Sequence, residues 1–349
     1  MTPAPTCNTI RTNIITLLVG AIGATLGYAL SFPVFILTGP AILVMLLSLI
    51  GMKFCIAPPL QDAALLLIGI AIGASVDTQA AQVFLRWPVA FALLGVMLFC
   101  ILYSSHMLSW LFGYDRHTAV LASTPGHMAF VMTMGVSLNL NVAQVAVVQA
   151  VRLFALNMLV PFTALAFGLQ LNALPVQTTP TLSLLHLAVL LIAGVTLGLL
   201  FKRLNTPAPL LMGGLLVSTL AHISNLTPGP LNPSIAIPAF LVIGTLSGAR
   251  FSGISLALLK SSLAAGVVVT AIAATWSLLA AYLVAQYLGM PLIHVMVAFA
   301  PGGLGTMVAL GAVIGANPGF VAAIHVARLL MLIVLVPMML SPHKPPNSP

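Results

Sequence analysis

Acidic residues are almost missing from this sequence, which has three aspartates and no glutamate among 349 residues. Charged residues of both signs make up only 4% of the chain, whereas soluble globular domains carry roughly 25%. This scarcity excludes a soluble globular domain. Hydrophobic residues amount to 61%, and the mean hydropathy is +1.19. The chain is therefore predicted to be an integral membrane protein in contact with a lipid bilayer.

A clustered basic face and metal-binding motifs are missing as well. The formal net charge is +8, but the basic residues are scattered between apolar runs, as is typical of topology signals rather than of nucleic-acid binding. The eight histidines show no H-x-x-x-H or H-E-x-x-H spacing, and the three cysteines form no C-x-x-C pair. We therefore expect no nucleic-acid partner, no metal and no cofactor.

The chain contains an internal repeat: segment 125–161 recurs as 301–337 without a gap, at an offset of 176 residues (301 − 125). Further glycine matches upstream extend the duplication over nearly the whole chain. We predict a first membrane repeat at 1–174, a second at 175–342 and a disordered tail at 343–349. The most informative matched pairs are Pro125/Pro301, Gly126/Gly302, Asn141/Asn317, Arg152/Arg328 and Pro161/Pro337.

Apolar runs predict an all-α polytopic membrane protein with about ten transmembrane helices, five in each half. A stretch rich in Gly and Pro, at 118–138 and again at 294–316, precedes the last span of each half and is predicted to be broken or re-entrant. The predicted spans are 13–31, 34–52, 62–76, 88–112 and 142–167, then 183–201, 208–224, 236–250, 255–288 and 318–341.

The orientation of the second repeat depends on whether the two broken stretches cross the membrane. If each folds back, every half has five crossings and the repeats are inverted; eight flanking basic residues then lie inside, and only Arg86 lies outside. If both stretches cross fully, the same nine residues split four and five. The positive-inside rule favours two inverted repeats, a common architecture of secondary transporters. It predicts a bacterial inner-membrane protein with both termini cytoplasmic.

Arg152 and Arg328 each lie ten residues into the last span of a half (142 to 152 and 318 to 328), near the middle of a core about 30 Å thick. Facing lipid, each would cost roughly 2.5–3.5 kcal/mol, so both should face the protein interior. The second half contains no acid that could pair with Arg328. Either the arginines border a site for an anion, or each ties a broken segment to its neighbouring helix through carbonyl groups.

The broken segments themselves are candidates for substrate contact. Pro removes a hydrogen-bond donor and Gly lets the chain turn, and a helix that begins just after such a break points a partial positive charge inward. Irregular backbone at membrane depth is tolerated where protein or a water-filled cavity covers it. The predicted substrate-binding residues are Arg152, Arg328, Ser123, Thr124, Gly126, His127, Gln149, Gly302, Gly303, Thr306 and His325.

The P-G … G … N … R pattern, present in both halves, resembles the AbrB duplication family of bacterial integral membrane proteins. The resemblance covers essentially the full length, and it implies a regulator of gene expression or an ammonia monooxygenase. Neither a soluble DNA-reading element nor a cluster of metal ligands accompanies the pattern. The two copies also differ at the tip, because His127 stands where the second copy has Gly303.

We expect a secondary transporter of a small anionic solute, with its site between the two broken segments, and not an enzyme. The alternative is a membrane-embedded regulator or sensor of gene expression, and an ammonia-monooxygenase-like enzyme is the least favoured function. The expected partners are the anionic solute and the lipid bilayer, and a homo-oligomer is compatible with the sequence.

Overall fold

The computed structural model describes residues 10–74, 87–126, 128–166, 181–204, 206, 208–227 and 229–340, which form α-helices joined by turns and short irregular segments. The helices of the first half are α1 Ile10–Ala29, α2 Phe35–Leu49, α3 Pro58–Gly73, α4 Trp87–Tyr103, α5 His106–Phe112, α6 Arg116–Ser123, α7 Met128–Ser137 and α8 Val142–Ala166. Those of the second half are α9 Leu184–Arg203, α10 Pro209–Ile223, α11 Pro233–Ala249, α12 Leu256–Leu288, α13 Leu292–Phe299, α14 Leu304–Val313 and α15 Pro318–Met339.

The described helices agree with an all-helical, multi-pass membrane protein. Six segments are long and apolar enough to cross a membrane: α1, the combined α4 and α5, α8, α9, α12 and α15. Helices α2, α3, α10 and α11 are apolar but shorter, with 15 to 17 residues each. Helix α3 begins at Pro58, earlier than the predicted 62, because a proline fits the first turn of a helix without losing a hydrogen bond.

Glycines let helices of the two halves pack closely against each other. A Cβ atom on Gly69 would lie 2.3 Å from the carbonyl oxygen of Leu211, and one on Gly73 would lie 2.6 Å from that of Leu215. The contacts advance in the same direction along both helices, so α3 and α10 run parallel. Such close approach of backbones is possible only with small residues at the interface.

The matching pair α2 and α11 packs in the same way. A Cβ on Gly244 would lie 2.7 Å from the carbonyl oxygen of Leu37, and one on Gly248 would lie 2.4 Å from that of Ala41. Here too the contacts advance in the same direction, so α2 and α11 run parallel. Each half therefore contributes two neighbouring helices to a shared central group of four.

The broken stretches are helical hairpins. In the second, Nε2 of His294 in α13 lies 3.2 Å from the carbonyl oxygen of Ile314, just after α14. In the first, a Cβ on Gly135 in α7 would lie 3.7 Å from Cδ1 of Leu121 in α6. Asp115, just before α6, and Ser137, at the end of α7, line the same cavity. The end of each stretch thus returns to its beginning, and the Pro-Gly pair forms the tip.

Side-chain caps lie at the start of α6, in the first hairpin, and at the start of α15, which follows the second hairpin. Asp115 accepts a hydrogen bond of 2.9 Å from the backbone N–H of Thr118 at the start of α6. Asn317 accepts one of 3.0 Å from the backbone N–H of Phe320, with Pro318 at the first position of α15. Each cap satisfies a backbone N–H group that the first turn of its helix would otherwise leave without a partner.

We expect Gly69→Ala to lower the thermal stability of the purified protein in detergent. The added methyl group would meet the backbone of α10, and such overpacking costs about 1–3 kcal/mol. That cost exceeds the gain of about 0.5–1 kcal/mol that alanine brings to a helix. Gly95→Ala in α4 is the matched control, because its new Cβ would meet only Sδ of Met331 at 3.8 Å. Equal melting temperatures for both variants would contradict the packing.

Candidate functional site at the hairpin tips

Arg152 caps the end of the first hairpin's entering helix. Its Nη1 donates to the carbonyl oxygens of Thr124 at 3.0 Å and Ser123 at 3.3 Å, and its Nη2 donates to Oε1 of Gln149 at 2.6 Å. Nε2 of Gln149 in turn donates to the carbonyl oxygens of Leu121 and Thr124, at 2.8 and 2.9 Å. Arg152 and Gln149 are fully buried. Together they satisfy carbonyls that the end of α6 leaves unpaired.

Arg328 does the same for the second hairpin. Its Nη1 donates to the carbonyl oxygen of Ala300 at 3.0 Å, and its Nη2 donates to that of Gly302 at 3.2 Å. His325 occupies the position that matches Gln149, but its Nδ1 lies 2.9 Å from the carbonyl oxygen of Val321 in its own helix. The two arginines therefore have equivalent roles, whereas the residues three positions before them do not.

These hydrogen bonds correspond to the second of the two alternatives that the sequence left open, in which each arginine ties a hairpin to its neighbouring helix. They do not occupy every donor, since Nε of both arginines is buried without a partner. Contact with an anion stays a prediction for Arg152 and Arg328. The surroundings of the two side chains differ, because Arg328 lines a cavity and Arg152 does not.

A cavity of about 260 Å³ lies between the two hairpin tips. Of the predicted substrate-binding residues, those that line it are Gly126, Gly302, Gly303, Thr306 and Arg328. The others lie outside its lining, at the end of α6 or on the helices that contact the hairpins: Arg152, Ser123, Thr124, Gln149 and His325. His127 lies outside the described residues. The tips of both halves thus contribute to one space.

Three polar residues were not predicted from the sequence, two that line this cavity and one beside its lining residue Gly302. Arg250 and Gln61 line it, and Oδ1 of Asn157 lies 2.9 Å from where a Cβ on Gly302 would be. Asn157 does not recur in the second half, where the matching position is Ile333. Arg250 directly follows an apolar run and is one of the eight flanking basic residues that the inverted topology places inside.

The cavity has a positive electrostatic character. Arg328 and Arg250 are both close enough to Arg152 to repel its charge. Of the described aspartates, Asp115 caps α6 and Asp62 lines an adjacent cavity of about 640 Å³. Among the described residues no carboxylate therefore pairs with these arginines. Within the same residues, no three His, Cys or Asp side chains are grouped so that they could hold a metal ion.

The comparison with known proteins decides the family. The family model described as "Transition state regulatory protein AbrB" matches residues 36–342. The chain belongs to the AbrB family. It is also 23% identical, over 295 residues, to the uncharacterized protein YhjN of Bacillus subtilis (strain 168), an alignment that covers 78% of this chain and 75% of YhjN. Both hairpins and the cavity of this AbrB-family protein lie within the matched residues, so the resemblance seen in the sequence is confirmed.

We expect Arg152→Gln to loosen the first hairpin. A hydrogen bond to a charged group contributes about 1.5–3 kcal/mol, and this substitution removes several while leaving carbonyls buried and unpaired. Amide hydrogen exchange should accelerate over 116–137, with a lower melting temperature. Arg203→Gln is the control, because Arg203 is exposed at the end of α9. Unchanged exchange in 116–137 would argue against the capping role.

Proposed function

We propose that this AbrB-family protein is a secondary transporter that moves a small anionic solute through the cavity between the hairpin tips. The observation that carries the proposal is the lining of that cavity: Arg328 and glycines of both tips face it, and no described carboxylate neutralises the arginine. Helix α14 begins directly after Gly303, so its partial positive end adds to the attraction for an anion.

The packing directions support two inverted repeats. Consecutive crossings of a membrane run in opposite directions, so α2 and α3 are antiparallel with respect to the membrane. Because α10 runs parallel to α3, it runs opposite to α2, the helix that it matches in the repeat. The hairpins add no crossing, since each returns to the side from which it enters. We therefore propose ten transmembrane helices and two re-entrant hairpins, as in other inverted-repeat transporters.

This topology gives the two hairpins opposite access. With the N-terminus inside, the first hairpin enters from the cytoplasm and the second from the outer side of the bacterial inner membrane. The adjacent cavity lined by Asp62 and Lys202 shares Gly126, Ala208 and Leu329 with the site. Both charged residues lie at cytoplasmic ends of their helices in this topology, so we propose that the wider cavity is the cytoplasmic access route.

Uptake by reconstituted protein tests the transport function. Proteoliposomes should accumulate at least one member of a panel of radiolabelled anions, comprising acetate, lactate, succinate, malonate and sulfate. Gly126→Val should abolish that uptake, because the new side chain would fill the space that both cavities share. Arg203→Gln, at an exposed position outside the cavities, should leave uptake unchanged. Absence of uptake for every anion with the unsubstituted protein would favour the sensor alternative.

Cysteine labelling in intact cells tests the inversion. In a cysteine-free background, Ser137→Cys at the end of the first hairpin should react with a membrane-impermeant maleimide only after permeabilisation. Met290→Cys at the start of the second hairpin should react without it. Parallel repeats with six crossings each reverse this pattern, so labelling of Ser137→Cys alone in intact cells would show that the proposed topology is wrong.

A further inference from the structure

We infer that the solute is a small dianion that binds Arg250 and Arg328 together, and that Arg152 positions a hairpin without touching the solute. The inference rests on the proposed anion transport. It goes further by assigning a second cationic binding residue, and with it the charge and the size class of the solute.

Arg250 extends from the end of α11 towards the start of α14. Its Nη2 lies 3.5 Å, and its Nη1 3.9 Å, from the position that a Cβ on Gly303 would occupy. Nη1 is buried and has no hydrogen-bond partner in the protein. A buried charged donor without an acceptor is costly, and a ligand in the cavity that Arg250 lines would relieve that cost.

Arg328 reaches the same cavity from α15. Its two Nη atoms donate to the carbonyl oxygens of Ala300 and Gly302, which hold the guanidinium group in place. Only 2% of the residue is exposed, and its Nε is buried without a hydrogen-bond partner. Both arginines therefore line one cavity, and each has one buried N–H group without a hydrogen-bond partner.

The charges at the cavity call for two negative charges on the ligand. Arg250 and Arg328 supply two full positive charges, and the described aspartates lie elsewhere, at the start of α6 and in the adjacent cavity. A monoanion would leave one guanidinium group buried and uncompensated, which is unfavourable. A dianion would neutralise both and form charge-assisted hydrogen bonds, which are the stronger kind.

The volume of the cavity favours a small ligand beside the two arginines. Its roughly 260 Å³ lies below the range of about 300–1,000 Å³ typical of pockets for drug-sized ligands. A nucleotide or a lipid would have to extend beyond this volume into the adjacent cavity. Short dicarboxylates and inorganic oxyanions such as sulfate share the required charge and size.

The two halves differ in what they contribute to binding. Arg152 is fully buried, lies outside the lining of the cavity and donates to Ser123, Thr124 and Gln149. Its match, Arg328, both caps a hairpin and lines the cavity. Arg250 comes from the second half as well. Both arginines that line the cavity therefore belong to one repeat, whereas each repeat has an arginine that caps a hairpin helix.

Thermal stabilisation of the purified protein in detergent tests the inference, with size-related pairs of anions at equal ionic strength. The pairs are succinate against butyrate and sulfate against nitrate, all at millimolar concentrations, below those at which salts act generally on stability. The dianions should raise the melting temperature of the unsubstituted protein and of Arg203→Gln. Arg250→Gln should weaken dianion binding at least about tenfold, the loss expected for one charged hydrogen bond. Arg250→Lys should retain part of that binding.

The monoanions distinguish a binding role of Arg250 from a purely structural one. A structural role would make Arg250→Gln weaken the binding of monoanions and dianions equally. Arg250→Gln should alter butyrate and nitrate binding much less than succinate and sulfate binding. Equal stabilisation of the unsubstituted protein by butyrate and succinate, or equal losses for both in Arg250→Gln, would overturn the dianion assignment and leave anion transport in place. If no anion stabilises the protein and none is taken up by proteoliposomes, the proposed function itself fails. A response to only one of succinate and sulfate identifies which dianion class binds.

Discussion

Two helices of this protein end inside its apolar interior, and the carbonyl groups that they leave unpaired must find hydrogen-bond donors there. Arg152 and Arg328 supply those donors to α6 and α13. Water serves this purpose at the surface of a soluble protein, but it is absent from a hydrocarbon core. The planar guanidinium group suits the task, because it carries five N–H donors and no acceptor. The hairpin tips, the cavity between them and its charge all depend on this arrangement.

The same hydrogen bonds explain how a positive site can exist in a chain with so few acids. An arginine at membrane depth pairs with another ionisable side chain or with backbone carbonyl groups, and here backbone carbonyl dipoles provide much of the compensation. They reduce the cost of burial without cancelling the full charge, which therefore remains available to a ligand. Arg250 lacks even these partners for its Nη1. The few acids of the chain thus leave the cavity positive.

Close packing of the central helices makes this geometry rigid. Gly69 and Gly244 bring backbones of the two halves into contact, so α3 and α11 form a firm base beside the cavity. Gln61 of α3 and Arg250 after α11 reach the cavity from this base. The tips of both hairpins, one from each half of the chain, also line this cavity. The cavity therefore lies where the repeats join, which is where a change in their relative position would alter access.

The positions of the helices, the two breaks and the depth of Arg152 and Arg328 follow from local features of the sequence, because apolar length, proline, glycine and spacing act along one segment at a time. The sequence alone also determined that nearly every charge at depth is positive. Tertiary structure decided that Arg328 lines the cavity and Arg152 does not, and that the matching residues Gln149 and His325 make different hydrogen bonds. It also decided that Arg250 and Asn157 join the site. Neither recurs in the other half, and only the folding of α8 and α11 around the second hairpin brings them to its tip, a long-range contact that no local pattern encodes.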